Sequence, residues 1–117
     1  MTTSVPSEHT LNIRKPYFDL ISQGTKTIEI RVGYPKIRKF KPGDLLCFIS
    51  GDATVQTRVT AITEYRSFEE MLDAEESAAI GGHSMTRDEL LAAIREIYPA
   101  EKEALGAFAI HIELVKK

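Results

Sequence analysis

The segment Gly24-Thr25-Lys26-Thr27-Ile28-Glu29-Ile30-Arg31-Val32 decides how this 117-residue chain is read. From Lys26 to Val32 polar and apolar residues alternate, the period of a β-strand with two unlike faces. Ile28, Ile30 and Val32 form one face, expected to turn inward, and Thr27, Glu29 and Arg31 form the other, expected to turn outward. Glu29 and Arg31 lie two positions apart, so their side chains leave the same face, where an acid and a base can simply pair. On a surface such a pair contributes only about 0–1 kcal/mol. Lys26 stands at the strand entrance, just past Gly24, where the backbone can turn an ammonium into a cleft. Three charged groups within six residues are more than a sheet needs.

Working outward, Thr10 to Arg14 alternates as a half-buried strand does. Lys15-Pro16 starts a helix, because proline is tolerated in the first turn, with Tyr17, Leu20 and Ile21 as its apolar face and Gly24 as its stop. Beyond the segment, Gly33 to Lys41 reads as a loop and Lys41-Pro42-Gly43-Asp44 as a turn. Leu45 to Ser50 is a buried strand, Gly51-Asp52 a hairpin signal, and Ala53 to Tyr65 a long returning strand whose length implies a bend or bulge. Ser67 caps a short helix through Leu72. Thr86 and Glu89 form a capping box for a longer helix, with Leu90, Leu91, Ile94 and Ile97 as its buried face and Tyr98-Pro99 as its end. Phe108, Ile110, Ile112 and Leu114 alternate along a closing strand. The order predicts an α+β domain, a small β-barrel or curled sheet with inserted helices.

Residues 1–9 are expected to form a flexible N-terminal tail and 10–117 one domain. Hydrophobic residues make up 43% and charged residues 27%, the balance of an ordinary globular protein. No stretch is apolar and long enough to span a membrane, and Met1 to Glu8 lacks a signal core, so a cytoplasmic location is expected. The lone Cys47, in the apolar run Leu45 to Ile49, reads as a small buried hydrophobe. No Cys/His cluster has zinc spacing, so neither metal nor cofactor is expected. A net charge of −2 argues against a dedicated nucleic-acid binder, but its distribution is uneven. Arg31, Lys36, Arg38, Lys39 and Lys41 form a stripe with no acid, whereas Glu64 to Glu76 is acidic. Two such patches either steer an anionic ligand or are solvated surfaces.

The pattern Gly24-x-Lys26-x-x-Glu29-x-Arg31 resembles the signature of the ASCH domain family, small PUA-like β-barrels. Lys41-Pro42-Gly43-Asp44 and Ile97-Tyr98-Pro99 add to the likeness, which runs from about Leu11 to Leu114 by the order of elements. The resemblance implies a cleft between barrel and flanking helices that takes RNA, a nucleotide or a modified nucleoside. One branch is a bacterial amidohydrolase that deacetylates N4-acetylcytidine with a Lys, a Thr and a Glu. Lys26 and Arg31 match that branch, but Glu29 stands where it has Thr, and His83, before Ser84-Met85-Thr86, where it has Glu. A carboxylate in place of a hydroxyl nucleophile changes the mechanism, since attack on an amide would give a mixed anhydride.

Two functions are therefore expected as alternatives. The first is a binding module, with Lys26, Glu29 and Arg31 in the cleft, Lys36, Arg38, Lys39 and Lys41 on phosphates, and Ser84 donating a hydrogen bond. The second is a metal-independent hydrolase with Lys26, Glu29 and His83 as its catalytic set, acting as a ribonuclease or as an amidohydrolase on an N4-acylated cytidine. Tyr34 and Tyr98 are candidates for stacking on a base.

Overall fold

The computed structural model describes residues 6–81 and 85–115. Strand β1 (Glu8–Asn12) leads into helix α1 (Lys15–Ser22), strand β2 (Ile28–Val32), a 3-10 turn (Ile37–Lys39) and strands β3 (Leu45–Ser50) and β4 (Ala53–Tyr65). Helices α2 (Phe68–Ala74), α3 (Ser77–Ile80) and α4 (Arg87–Ile97) follow, then a 3-10 segment (Ala100–Leu105) and strand β5 (Ala107–Leu114). The strands make one mixed sheet in the order β1-β3-β4-β5-β2. Among the described residues the β1–β3 pair is parallel and the other three pairs are antiparallel. The sheet curls into a half-barrel whose two edges, β1 and β2, are joined in sequence by α1.

Local signals fix the element ends. Gly51-Asp52 closes a two-residue hairpin in which Ser50 pairs with Ala53, and Gly51 has φ +59°. The register of β4 against β5 shifts between Val59 and Ala61, the irregularity that the length of this strand demanded. The Ser67 hydroxyl accepts from Glu70 N–H, and Thr86 and Glu89 complete the capping box of α4.

Alternation along β5 divides the interior in two. Phe108, Ile110 and Ile112 join Leu46, Phe48 and Val59 on the concave side, where Phe18 and Ile21 of α1 also pack. Ala107 and Ala109 face the other side, with Ile28 and Val32 of β2, beneath Phe68, Met71, Ile80, Leu90 and Ile94 of the helices. The small alanines let the helices lie close to the sheet.

Three expectations are corrected. β1 begins at Glu8, so His9 is not in a tail; it stacks on Phe40 with ring centroids 4.2 Å apart. The buried residues of α1 are Phe18 and Ile21, while Tyr17 and Leu20 are half-buried, because the helix packs on the concave core through the Phe18 side. On α4 Leu90 and Ile94 are buried, but Ile97 is 46% exposed, since the last turn runs past the sheet. Among the described residues no helix is long and apolar enough to cross a membrane.

Candidate functional site

β2 is an edge strand paired with β5, and Glu29 and Arg31 lie opposite Ile110 and Phe108. Both partners belong to the concave core, so the charged face of β2 turns toward the barrel interior rather than toward solvent. Glu29 is accordingly 6% exposed. The alternation is as expected, but both faces of the strand are covered.

Lys26 reaches the same place from the preceding turn. Gly24, at φ +81°, reverses the chain after α1, and the N–H groups of Thr25 and Lys26 both donate to Leu20 O. Thr27 N–H donates to Ala79 O at 2.8 Å, which holds the turn against α3. The Lys26 ammonium, beneath α3, donates to Ile28 O and Ile80 O at 2.6 Å each and lies 3.2 Å from Glu29 Oε1. Ile80 O is a carbonyl at the end of α3, so the lysine satisfies an acceptor that the helix leaves open. The Tyr17 ring centroid lies 5.7 Å from the same nitrogen.

Arg31 completes a row of alternating charge. Its Nε and Nη2 each approach Glu29 Oε2 at 2.7 Å, and Nη2 also donates to Asn12 O at 3.0 Å. Glu29 is thus bracketed, Lys26 on one oxygen and Arg31 on the other. Burial pushes the Lys26 pKa below the ordinary lysine value, and the Glu29 carboxylate opposes that shift. All three of its contacts are acceptors, so the geometry suits the ammonium form.

Above this row opens a cleft of about 200 Å³. Asn12, Ile13 and Arg14 form one rim, Tyr17 of α1 another, and Leu90, Ala93, Ile94 and Ile97 of α4 with Tyr98 the opposite wall. Tyr98 also stacks on Phe68, with centroids 5.9 Å apart. The wall formed by α4 and Tyr98 is mainly apolar and aromatic, while Lys26, Glu29 and Arg31 form a charged floor and Arg14 stands on the rim. Arg31 Nη1 has no partner among the described residues and Glu29 Oε1 is engaged only by Lys26, which leaves one donor and one acceptor position open.

The structure brings Lys26, Glu29 and Arg31 together, with Tyr98 on the cleft wall, and sets the residues of the basic stripe apart. Lys36, Arg38, Lys39 and Lys41 do not line the cleft. Lys36 donates to Thr10 O at 2.8 Å, two residues before the carbonyl that Arg31 takes, so these two cations cap the outer edge of β1 across the seam of the half-barrel. Arg38 is a clamp: it donates to Gly33 O and Leu105 O, pairs with Glu64 at 3.0 Å, and lies 4.9 Å from the Phe108 ring centroid. Lys39 and Lys41 are exposed. His83 and Ser84 lie outside the described residues. The acidic flank is largely tied into the helices, with Asp73 on Arg87 and Glu69 on Arg95. Sequence reasoning missed Asn12, Tyr17 and Ile97 as cleft residues, and no local signal marks them: Ile97 keeps the spacing of the buried face of α4 and is exposed only in the folded chain.

The sequence profile of the ASCH domain matches residues 11–116. Two solved structures share about a third of their residues with this chain. Hypothetical protein PH0355 is 32% identical, with a TM-score of 0.85, 92% of this chain covered and 99% of the other. Protein PF0455 from Pyrococcus furiosus is 33% identical, with a TM-score of 0.74, 97% of this chain covered and 100% of the other. An ASCH domain from Lactobacillus crispatus JV V101, 16% identical over 92% of this chain and 79% of its own, shares the fold with a TM-score of 0.66. No curated protein matches the chain. The α+β half-barrel is that of the PUA-like ASCH fold.

Proposed function

The chain belongs to the ASCH domain family, and from that premise we propose that it binds RNA or a nucleotide, taking one base into the cleft over Lys26, Glu29 and Arg31. The observation that carries this reading is the open donor and acceptor on Arg31 and Glu29 at the floor of a cleft walled by Tyr17, Tyr98 and α4. A flat, polar-edged aromatic ligand fits that contrast: its faces meet apolar walls and its edge meets a paired donor and acceptor. At about 200 Å³ the cleft is below the roughly 300–1,000 Å³ typical of drug-sized ligands, which suits one nucleobase or nucleoside. Lys26 holds Glu29 in place, and Arg31 is the residue assigned to contact the ligand. The exposed Lys39 and Lys41 are left to meet flanking phosphates, whereas Arg38 is committed to the fold.

Calorimetric titration of the protein with nucleoside monophosphates and short single-stranded RNA tests this. Binding should weaken steeply with salt when phosphates are present and fall at least about tenfold in Arg31→Ala, the loss of one charge-assisted contact. Affinity that is flat with salt, or indifferent to Arg31→Ala, overturns the reading.

One observation favours a second reading, a metal-independent hydrolase: burial lowers the pKa of Lys26, as general-base lysines require. Against it, the ammonium already serves Ile28 O, Ile80 O and Glu29, and is 4% exposed. Turnover would need Lys26 to leave an acceptor, with His83 as the second proton-transfer group of the set. Cleavage of single-stranded RNA, or deacylation of an N4-acylated cytidine, that is lost in Lys26→Ala would establish the hydrolase.

A further inference from the structure

The cleft has room for one base, yet the surface beside it is built in a way that a single-base site does not need. Two residues past β2 stands Tyr34, a large aromatic side chain that is 39% exposed. Its backbone is fixed: its N–H donates to Val32 O at 2.8 Å, and its carbonyl accepts from Ile37 N–H at 2.9 Å and Arg38 N–H at 3.1 Å. The residue before it, Gly33, donates to Gly106 O at 2.9 Å. A Cβ on Gly33 would sit 2.3 Å from Leu105 O, so only glycine lets the end of β2 lie flush against the 3-10 segment Ala100–Leu105. From that segment Lys102 places its ammonium 5.8 Å from the Tyr34 ring centroid.

Tyr34 follows Arg31 of the cleft floor by three positions, just past the end of β2. Tyr98 lines the cleft wall, and its hydroxyl pKa is raised mainly by burial, with the Arg31 cation opposing and Glu29 adding to the rise. Of the two acids flanking Lys102, Glu103 bonds Arg95 and Phe68 N–H, while Glu101 is exposed. An exposed aromatic ring with a cation over one face combines the two groups that single-strand binders use, a ring to stack on a base and a cation to meet its phosphate.

We infer that Tyr34 and Lys102 form a shelf for the nucleotide adjoining the one in the cleft, so that the ligand is a single-stranded RNA segment of two or more nucleotides. This rests on the cleft reading above. Stacking on Tyr34 tolerates any base, so the shelf adds affinity and leaves selectivity to the cleft.

The test compares nucleoside 3′-monophosphates with the dinucleotides built from them, each titrated into the full chain. Dinucleotides should bind about tenfold more tightly, the scale of one stacked base. Tyr34→Ala should erase that gain and leave monophosphate affinity unchanged, Tyr34→Phe should keep it, and Lys102→Met should reduce the salt dependence of dinucleotide binding alone. Equal affinity for monophosphate and dinucleotide, or a gain that survives Tyr34→Ala, overturns the shelf and leaves the cleft reading standing. If neither probe binds, the cleft reading falls and the shelf falls with it.

Discussion

Lys26 Nζ lies 3.2 Å from Glu29 Oε1, with both side chains more than nine-tenths buried. A pair three residues apart at the start of a strand has thus become part of the interior. Two charges taken out of water are costly unless every remaining bond is made. Here they are made: Ile28 O and Ile80 O take the other Lys26 protons, and Arg31 takes the second Glu29 oxygen. Among the described residues, no buried side-chain nitrogen or oxygen lacks a partner.

Removing one member should therefore cost far more than a surface pair. Lys26→Met strands two carbonyls and leaves Glu29 with Arg31 alone, lowering stability by about 3 kcal/mol or more. Urea denaturation with an unchanged m-value checks this. The double variant Lys26→Met/Glu29→Leu should lose less than the sum of the singles, because the two residues share one network.

Arg38 should behave as a structural residue. Arg38→Ala removes the clamp joining Gly33, Leu105 and Glu64 and is expected to lower stability by about 1–2 kcal/mol while leaving nucleotide affinity unchanged. Arg38→Lys should not restore it, since a single ammonium cannot reproduce the guanidinium fork. Thermal denaturation beside the titration separates the two effects.

Asp44 should govern part of the acid limb of the stability curve. Its carboxylate accepts from His9 Nε2 at 2.8 Å, Lys41 N–H at 3.0 Å and Ser7 N–H at 3.3 Å. Burial pushes its pKa up, but the bond from His9 and those from the Lys41 and Ser7 backbone outweigh it, and the net shift is below 3.8. With the folded value below the unfolded one, this stabilisation is present above the unfolded pKa and is lost as pH falls through the folded pKa. Denaturation midpoints followed from neutral pH to about pH 2 should drop less steeply in Asp44→Asn than in the wild type.

Gly33→Ala tests the close approach beside Tyr34. Its Cβ would meet Leu105 O at 2.3 Å and the Phe108 ring at 2.7 Å, the first in the 3-10 segment that leads into β5 and the second in β5 itself. A destabilisation of about 1–3 kcal/mol is expected from this overpacking. Wild-type stability in this variant, measured by urea denaturation, would show that the two backbones can separate.

Much of the fold was legible because it is written in short-range signals. The Thr86–Glu89 capping box, the Gly51-Asp52 hairpin and the alternation of β5 each depend on residues a few positions apart, and each appears where it was expected. The site was legible in part. Lys26, Glu29 and Arg31 share a segment, so their meeting needs only strand geometry and one turn. The partners of the basic stripe were not legible: Lys36 and Arg38 are close in sequence to Arg31, yet their partners, Thr10 and Leu105, lie 26 and 67 residues away. No local pattern announces such partners.

The sequence by itself determined which side chains leave β2 together, because a strand's period is set by its own backbone. It also determined the order of elements that marks the family. What tertiary structure alone decided is that the charged face of Lys26–Arg31 is closed off rather than open to solvent. β2 lies at the sheet edge on β5, α3 ends over Lys26, and α4 walls the cleft from the opposite side. Burial is a property of what packs against a residue, and here the packing elements come from 50 to 80 residues further along the chain. That closure turns a pair worth little in water into an enclosed, mutually bonded row with one donor and one acceptor position still open.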